Sequence, residues 1–456
     1  MKRNFEEFKE TIRGKKVGVV GLGVSNVPLM RFLVDLGAQV YGFDQREKEA
    51  LSKELDAVKD HVKLHLGEDY LAHLKGMDVI FKTPGMRADL KELVEAEQAG
   101  ARITSEMQEF LTYCQGKTIG VTGSDGKTTT TSVIGALLQE AGCHVYVGGN
   151  IGTPLFTKVE EIKEEDFAVL ELSSFQLMTM TVSPDIAVVT NLTPNHLDVH
   201  KNMVEYMEAK KNILRFQGPS SLLVVNEDNE ITRGFGSLGK GKVEYFSSQK
   251  EMEDAHFQGG SLYLRYERLV DLKEMKVKGV HNAENFLAAF LAVEEFVPKK
   301  IMRDVALKFS GVKHRCQFIR EVDGVAYYND SIASSPTRTL ASISAMEKKV
   351  KVILGGYDKH LDFMPLTLKA KDYIQEAVVV GATKEKLLRA FEEAEKITGV
   401  KVSVHAVDTF EEAVDKLREI SHPGDVAILS PACASFDFFK NFEARGDRFV
   451  ELVKEF

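Results

Sequence analysis

The chain has 456 residues, 44% hydrophobic and 28% charged, the composition of a globular protein of two to four domains, each long enough to bury its own core. A formal net charge of −9 argues against a general nucleic-acid surface but leaves room for a locally basic cleft that reads phosphate. Four scattered cysteines, Cys114, Cys143, Cys316 and Cys433, form no C-x-x-C pair, which excludes a disulfide framework or zinc site as the expectation.

Residues 1–10 are charged, with no apolar signal region, and no apolar run approaches the ~18 residues of a membrane span. A cytoplasmic protein without membrane insertion is expected. Short apolar runs at 16–20, 39–43, 78–82, 118–121, 167–171, 186–190, 222–225, 351–354, 377–380 and 425–429 alternate with helical patterns. This is the βαβ signature of doubly wound, mostly parallel sheets. Three blocks are expected: a Rossmann-like one over 1–105 that opens with a nucleotide-type βα turn, a central one of P-loop type over 106–311 that holds a phosphate loop, and a C-terminal Rossmann-like α/β one over 312–456 that restarts with the strand 325–329. The polar stretch 242–272 reads as hairpins of a small satellite sheet, turning at Gly259-Gly260-Ser261, and 309–317 reads as a junction.

In the first block, Val17-Gly18-Val19-Val20-Gly21-Leu22-Gly23 is a strand followed by a glycine turn. The next helix carries Leu29, Phe32, Leu33 and Leu36 on one face and ends at Gly37. The next strand ends at Asp44, where an NAD-binding acid would sit. An NAD-dependent dehydrogenase is therefore one reading. The third glycine of that fingerprint is Asn26, however, and a separate phosphate loop follows. The preferred reading is a domain that holds the diphosphate of another nucleotide, with Asp44 reaching its base or ribose.

The phosphate loop is Val121-Thr122-Gly123-Ser124-Asp125-Gly126-Lys127-Thr128-Thr129, between an apolar strand and a helix bearing Val133, Ile134, Leu137 and Leu138. Its backbone N–H groups and the helix N-terminus suit an anion. Lys127 can reach terminal phosphates and Thr128 can ligate Mg²⁺. It departs from the usual phosphate-loop pattern because Val121 stands where the first glycine belongs. Two strand ends follow. Glu171 is placed for Mg²⁺ at the carboxyl end of its strand. His196, in Asn191-Leu192-Thr193-Pro194-Asn195-His196-Leu197-Asp198, can ligate a second metal or orient a substrate carboxylate. Lys210 lies in the helix 204–213 and by itself reads as a solvated lysine.

Together these pieces resemble the Mur ligase family of peptidoglycan synthesis, which joins amino acids to a UDP-linked muramic acid carrier using ATP. The matching motifs are Thr122–Thr128, Glu171–Gln176, Asn191–Asp198, Lys210, His281 with Asn282 and Asn285, His314-Arg315, and Asn329-Asp330-Ser331, in the family's order over essentially the whole chain. The stretches Leu429–Asp437 and Lys440–Gly446 look most like the D-glutamate-adding branch. The resemblance implies an ATP-dependent amide ligase that adds D-glutamate to UDP-N-acetylmuramoyl-L-alanine through an acyl phosphate, with two Mg²⁺ ions, acting as a monomer.

The resemblance also assigns roles. Gly123, Ser124, Asp125, Gly126, Lys127, Thr128 and Thr129 would hold ATP, with Asn282 and Asn285 on the adenine side and Arg315 and Asp330 completing the site. Thr128, Glu171, His196 and a carbamylated Lys210 would serve metal. Ser25, Asn26, Asp44, Asn150 and Ser173 would hold the UDP-substrate, and Ser334, Lys359, Ser435 and Phe442 would cradle D-glutamate. It further implies a mobile third domain, with hinges near Gly311 and Thr104. Three departures stand out: Asp125 where many relatives carry Asn, Ile332 where several carry Lys, and His360 after Lys359, which has no assigned role. The other readings are a different Mur-type or folylpolyglutamate-type amide ligase, the dehydrogenase, and a nucleotide-switch protein.

Overall fold

A computed structural model describes residues 3–23, 26–51, 61–150, 154–194, 200–346, 348–358 and 361–456. Two compact units make up the chain, Met1–Lys308 and Phe309–Phe456.

The first unit opens on a five-stranded sheet of β1 (Lys16–Val20), β2 (Gln39–Asp44), β3 (Lys63–Leu66), β4 (Val79–Lys82) and β5 (Arg102–Thr104). Its order is β3-β2-β1-β4-β5, and every pairing is parallel. The helix after β1, Asn26–Asp35, buries Leu29, Met30 and Leu33 on the face of Val17, Val19 and Phe81. The helix after β4, Lys91–Gln98, buries Leu93 and Ala96 on the opposite face, with Val20, Phe43 and Ile80. The two connections thus part at the carboxyl ends of β1 and β4 and leave a crevice, the place where open α/β sheets bind ligands.

The second sheet has nine strands: β6 (Lys117–Thr122), β7 (Val145–Gly149), β8 (Phe167–Glu171), β9 (Ile186–Val189), β10 (Leu222–Asn226), β11 (Lys242–Ser247), β12 (Ala255–Gln258), β13 (Ser261–Leu264) and β14 (Glu267–Asp271). The order is β14-β13-β12-β11-β10-β9-β6-β8-β7. Pairing is parallel from β7 to β12 and antiparallel beyond. The stretch 242–272 is therefore no satellite sheet, because β11 pairs in register with β10 and carries the main sheet onward. Its polarity is misleading: Glu244, buried on β11, is held by Arg265, which also pairs with Asp254 and Glu294. Paired charges can occupy interior positions that a hydrophobicity pattern assigns to apolar residues. The turn from β12 to β13 uses Gly259 and Gly260, both at positive φ (57° and 84°), as a two-residue hairpin requires.

The two sheets of this unit share one core. Phe5, Phe8, Phe32, Tyr113 and Phe156 meet there, with ring centroids 5.0–6.0 Å apart. Movement about Thr104 would have to open this aromatic cluster.

The second unit holds β15 (Gln317–Val322), β16 (Val325–Asn329), β17 (Val350–Gly355), β18 (Ile374–Val380), β19 (Ser403–Ala406) and β20 (Val426–Leu429) in the order β15-β16-β20-β17-β18-β19. All pairings are parallel except that of β15 with β16. A core covers each face. Among the described residues, no helix is long and apolar enough to cross a membrane.

Candidate active site

The phosphate loop leaves β6 at Thr122, and Gly126, at φ 79°, caps the helix Lys127–Glu140. A Cβ on Gly126 would lie 2.2 Å from Asn285 Oδ1, and one on Gly123 would lie 1.9 Å from Thr190 Oγ1. Neighbouring strand ends shape the loop. Ser124 N–H donates to Asn191 O (2.9 Å), Asp125 N–H to Asn191 Oδ1 (2.9 Å), and Thr190 Oγ1 to Asp125 O (2.6 Å). Ser124 Oγ also meets Tyr206 OH at 3.0 Å. The Asp125 side chain is exposed, and Thr129 is half-buried on the first helical turn. Gly126→Ala should therefore cost about 1–3 kcal/mol, from the left-handed backbone and the clash with Asn285, read as a lower urea midpoint with weakened ATP binding.

Beside the loop, Glu171 ends β8 with both oxygens engaged: Thr128 Oγ1 donates to Oε2 (2.6 Å) and Asn150 Nδ2 to Oε1 (2.8 Å). Asn150, expected to touch the UDP-substrate, here fixes the carboxylate. The hydroxyl and carboxylate are hard oxygen donors at the mouth of a phosphate loop, a set that fits Mg²⁺. Lys127 folds back to donate to Gly123 O (3.0 Å) and Ser124 O (2.9 Å). Ser173 caps the helix Ser174–Leu177 in a capping box with Gln176, which sets the turn after Glu171. Asn285 is buried against the loop and donates to Asn282 Oδ1 at 3.4 Å.

Lys210 is not a solvated lysine. It is 1% exposed on the helix Met203–Arg215, and its Nζ donates to Thr122 Oγ1 (3.0 Å) and Gly123 O (2.8 Å). Burial, reinforced by the nearby Lys127 charge, holds its amine well below the ordinary lysine range. The helix carries the signal that the reading of a lone lysine passed over, because Tyr206, Lys210 and Ile213, at i, i+4 and i+7, share its buried side. His196 lies outside the described residues. Among the described residues, no three His, Cys, Asp or Glu side chains form a metal cluster.

In the crevice of the first sheet, Asn26 is buried, and its amide donates to Val20 O (3.1 Å) and Gly21 O (2.7 Å). It closes the glycine turn where a dinucleotide fingerprint has its third glycine. Asp44 accepts from Leu22 N–H (2.7 Å) and holds the Arg46 guanidinium through both oxygens (2.9 Å each). Both oxygens thus bond within the protein at the carboxyl end of β2. Arg46, which the sequence reading passed over, is the charged group brought to this edge; its Nη2 also donates to Leu22 O (2.9 Å). Ser25 lies outside the described residues.

In the second unit, the carboxyl ends of β16 and β20 are joined by buried polar groups. Asp330 accepts from Cys316 N–H (3.1 Å) and Ser430 Oγ (2.7 Å), and burial raises its pKa. Arg445 is 3% exposed, and among the described residues it makes no ion pair. Its guanidinium donates to Ser331 Oγ and O, Cys433 O and Ala434 O, at 2.9–3.1 Å. Ser435 is buried one residue beyond this knot, and Phe442 opens the last helix with its carbonyl accepting from Ser331 Oγ (2.8 Å). Ser334 and Ile332 are half-buried and Arg315 is exposed. Lys359 and His360 lie outside the described residues.

His314 is 3% exposed, with Nδ1 3.0 Å from Asn329 Nδ2, and burial lowers its pKa below 6.5. The folded state keeps this ring neutral while the unfolded chain protonates it. Its stability contribution is therefore present above about pH 6.5 and is lost as the pH falls toward the folded value. The Tm should drop between pH 7 and 5.5, and by less in His314→Asn; Asn tolerates the positive φ of 63° found there.

Models of known families match the chain in three places: "Mur ligase MurD-like, N-terminal domain" over 15–105, "Mur ligase middle domain" over 121–293, and "Mur ligase, glutamate ligase domain" over 314–433. A UDP-N-acetylmuramoylalanine–D-glutamate ligase of Clostridium beijerinckii is 55% identical over 100% of both chains. The chain belongs to the Mur ligase family. The enzyme of that same printed name from Clostridium perfringens is 54% identical over 99% of each chain. Among solved structures, UDP-N-acetylmuramate-alanine ligase MurC of Thermotoga maritima matches with TM-score 0.55 and 21% identity, over 97% of this chain and 99% of that one, a likeness of fold. Membership in the Mur ligase family removes the dehydrogenase reading of the Gly21–Asp44 turn.

Proposed function

We propose that the chain is the ATP-dependent ligase that adds D-glutamate to UDP-N-acetylmuramoyl-L-alanine, forming an amide with release of ADP and phosphate in peptidoglycan precursor synthesis. The observation that carries the reading is the Thr128–Glu171 pair at the mouth of a glycine-capped phosphate loop. Full-length relatives of that printed name at 50–55% identity support the choice of amino acid and carrier. The first block, 1–105, takes the UDP-substrate, 106–311 takes ATP, and 312–456 takes D-glutamate. The reaction belongs in the cytoplasm, where ATP is supplied.

A carboxylate does not couple to an amine unaided, because its oxygen is a poor leaving group. The L-alanyl carboxylate attacks the γ-phosphorus of ATP and expels ADP. The D-glutamate amine then attacks the acyl carbon, loses a proton and expels phosphate. The first step is mainly positioning and charge neutralisation. The loop N–H groups and Lys127 orient the triphosphate. Thr128, Glu171, His196 and a carbamylated Lys210 would hold Mg²⁺, two ions in this reading, which supply charge neutralisation at the transferring phosphoryl group. The buried Lys210 amine, bonded only to neutral oxygens, is suited to react with CO₂: an N–C bond forms, a proton leaves, and two anionic oxygens replace a cation that would repel a metal.

Ser435, Phe442, Ser334 and Lys359 line the D-glutamate site, with Arg445 fixing the backbone beneath the first two. Asn282 and Asn285 serve the adenine side; Asn26, Asp44, Ser25, Asn150 and Ser173 build the carrier site. Turnover that requires ATP, the UDP carrier and the D isomer of glutamate together tests this reading. Equal turnover with L-glutamate, or with another amino acid in its place, would refute it.

A further inference from the structure

Three lysines are buried among the described residues: Lys82, Lys210 and Lys351. Lys351 is paired with Asp425 (2.9 Å) and Glu376 (3.3 Å). Lys82 has no such partner among the described residues. It is 3% exposed, and its ammonium donates to one acceptor, Met86 O, at 3.1 Å. Among the described residues it makes no ion pair. A buried cation without a counter-charge is costly and is retained where something else supplies the charge.

Its position indicates what that is. Lys82 is the last residue of β4, in register with Val20 at the end of β1. These are the two strands whose connections part to form the crevice of the first sheet. The turn after Lys82 forms the wall of that crevice: Thr83 N–H donates to Val20 O (3.1 Å), Met86 N–H to Thr83 O (3.1 Å), and a Cβ on Gly21 would lie 2.9 Å from Thr83 Cβ. The same turn leads to Arg87, which holds Glu205 (2.9 Å) on the helix that carries Lys210. The elements that pack with β4 carry Lys16 on β1, Tyr41 and Asp44 on β2, Lys63 and His65 on β3, Tyr70 and His73 in the turn after it, Arg102 on β5, and Lys91, Glu92, Glu95 and Glu97 on the helix after β4. None of them bonds the Lys82 ammonium, and Asp44 is already spent on Arg46. Burial alone pulls the Lys82 amine down to about 8.

We propose that Lys82 is a positioning residue for the nucleotide half of the carrier: its ammonium anchors the turn 83–86 and supplies buried positive charge that the carrier's diphosphate neutralises. The inference rests on the UDP-substrate reading above and goes beyond it by naming the group that answers the diphosphate. Binding an anion then draws a proton onto Lys82 near pH 8.

The test is calorimetric titration of the full chain with UDP-N-acetylmuramoyl-L-alanine at pH 8, in HEPES and in Tris, whose ionisation enthalpies differ. The wild type should take up a fraction of a proton per carrier bound. Lys82→Met should take up none and bind the carrier about tenfold more weakly, with ATP affinity unchanged. Lys82→Arg, which keeps the charge without titrating at pH 8, should retain affinity without proton uptake. If Lys82→Met does not fold, the wild-type uptake and Lys82→Arg decide. Normal carrier binding by the wild type with no proton uptake, or the same uptake and affinity in Lys82→Met, would overturn the inference while leaving the ligase reading intact. A wild type that does not bind the carrier at all would overturn the ligase reading, and this inference with it.

Discussion

Replacing Lys127 with alanine is expected to lower kcat for amide formation by about 10³-fold or more, while binding of the UDP carrier stays within about twofold. Lys127 is the first residue of the helix behind the phosphate loop, and its ammonium rests on the carbonyls of Gly123 and Ser124. Those are neutral acceptors that it can exchange for a phosphate oxygen. The charge that develops during phosphoryl transfer falls on the γ-phosphate oxygens, so the lost stabilisation appears in kcat. Lys127→Arg should recover little, because the larger planar guanidinium cannot occupy the same turn between those carbonyls. Steady-state phosphate release checks this, and a kcat within tenfold of wild type would contradict it.

The second large effect is at Lys210. Lys210→Ala should lose about 10³-fold in kcat and regain part of it in millimolar formate or acetate. Those ions would return to the cavity the two oxygens that a carbamate carries. A merely structural lysine would not respond to small carboxylates. The cavity suits the experiment, because Lys210 is 1% exposed and lies against the Tyr206 ring, 4.9 Å from its centroid. In addition, ¹³C-bicarbonate should give a carbamate signal in the wild type that is absent from Lys210→Ala. Full activity of Lys210→Ala without added carboxylate would remove the role.

Much of this arrangement was legible in the sequence because local chemistry set it. The loop 121–129 needs glycine at Gly126 for backbone conformation, and Glu171 ends an apolar strand as a single acid where the run of valine and leucine stops. Parallel pairing followed from apolar strands alternating with helices. What the sequence hid depends on partners distant along the chain. Lys210 looked solvated because burial comes from the loop it packs against. The stretch 242–272 looked separate because Glu244 is neutralised by Arg265, 21 residues away. Arg46 went unnoticed because it reaches the Leu22 carbonyl only once β1 and β2 lie side by side. Lys82 drew no attention, since one lysine closing a strand carries no local signal of being buried without an acid.

The most direct measurement is phosphate release from ATP in the presence of Mg²⁺ and UDP-N-acetylmuramoyl-L-alanine, with D-glutamate compared against L-glutamate. Release that requires the carrier and the D isomer together is the predicted result. Release that proceeds equally with either isomer, or with neither carrier nor amino acid present, would contradict the account.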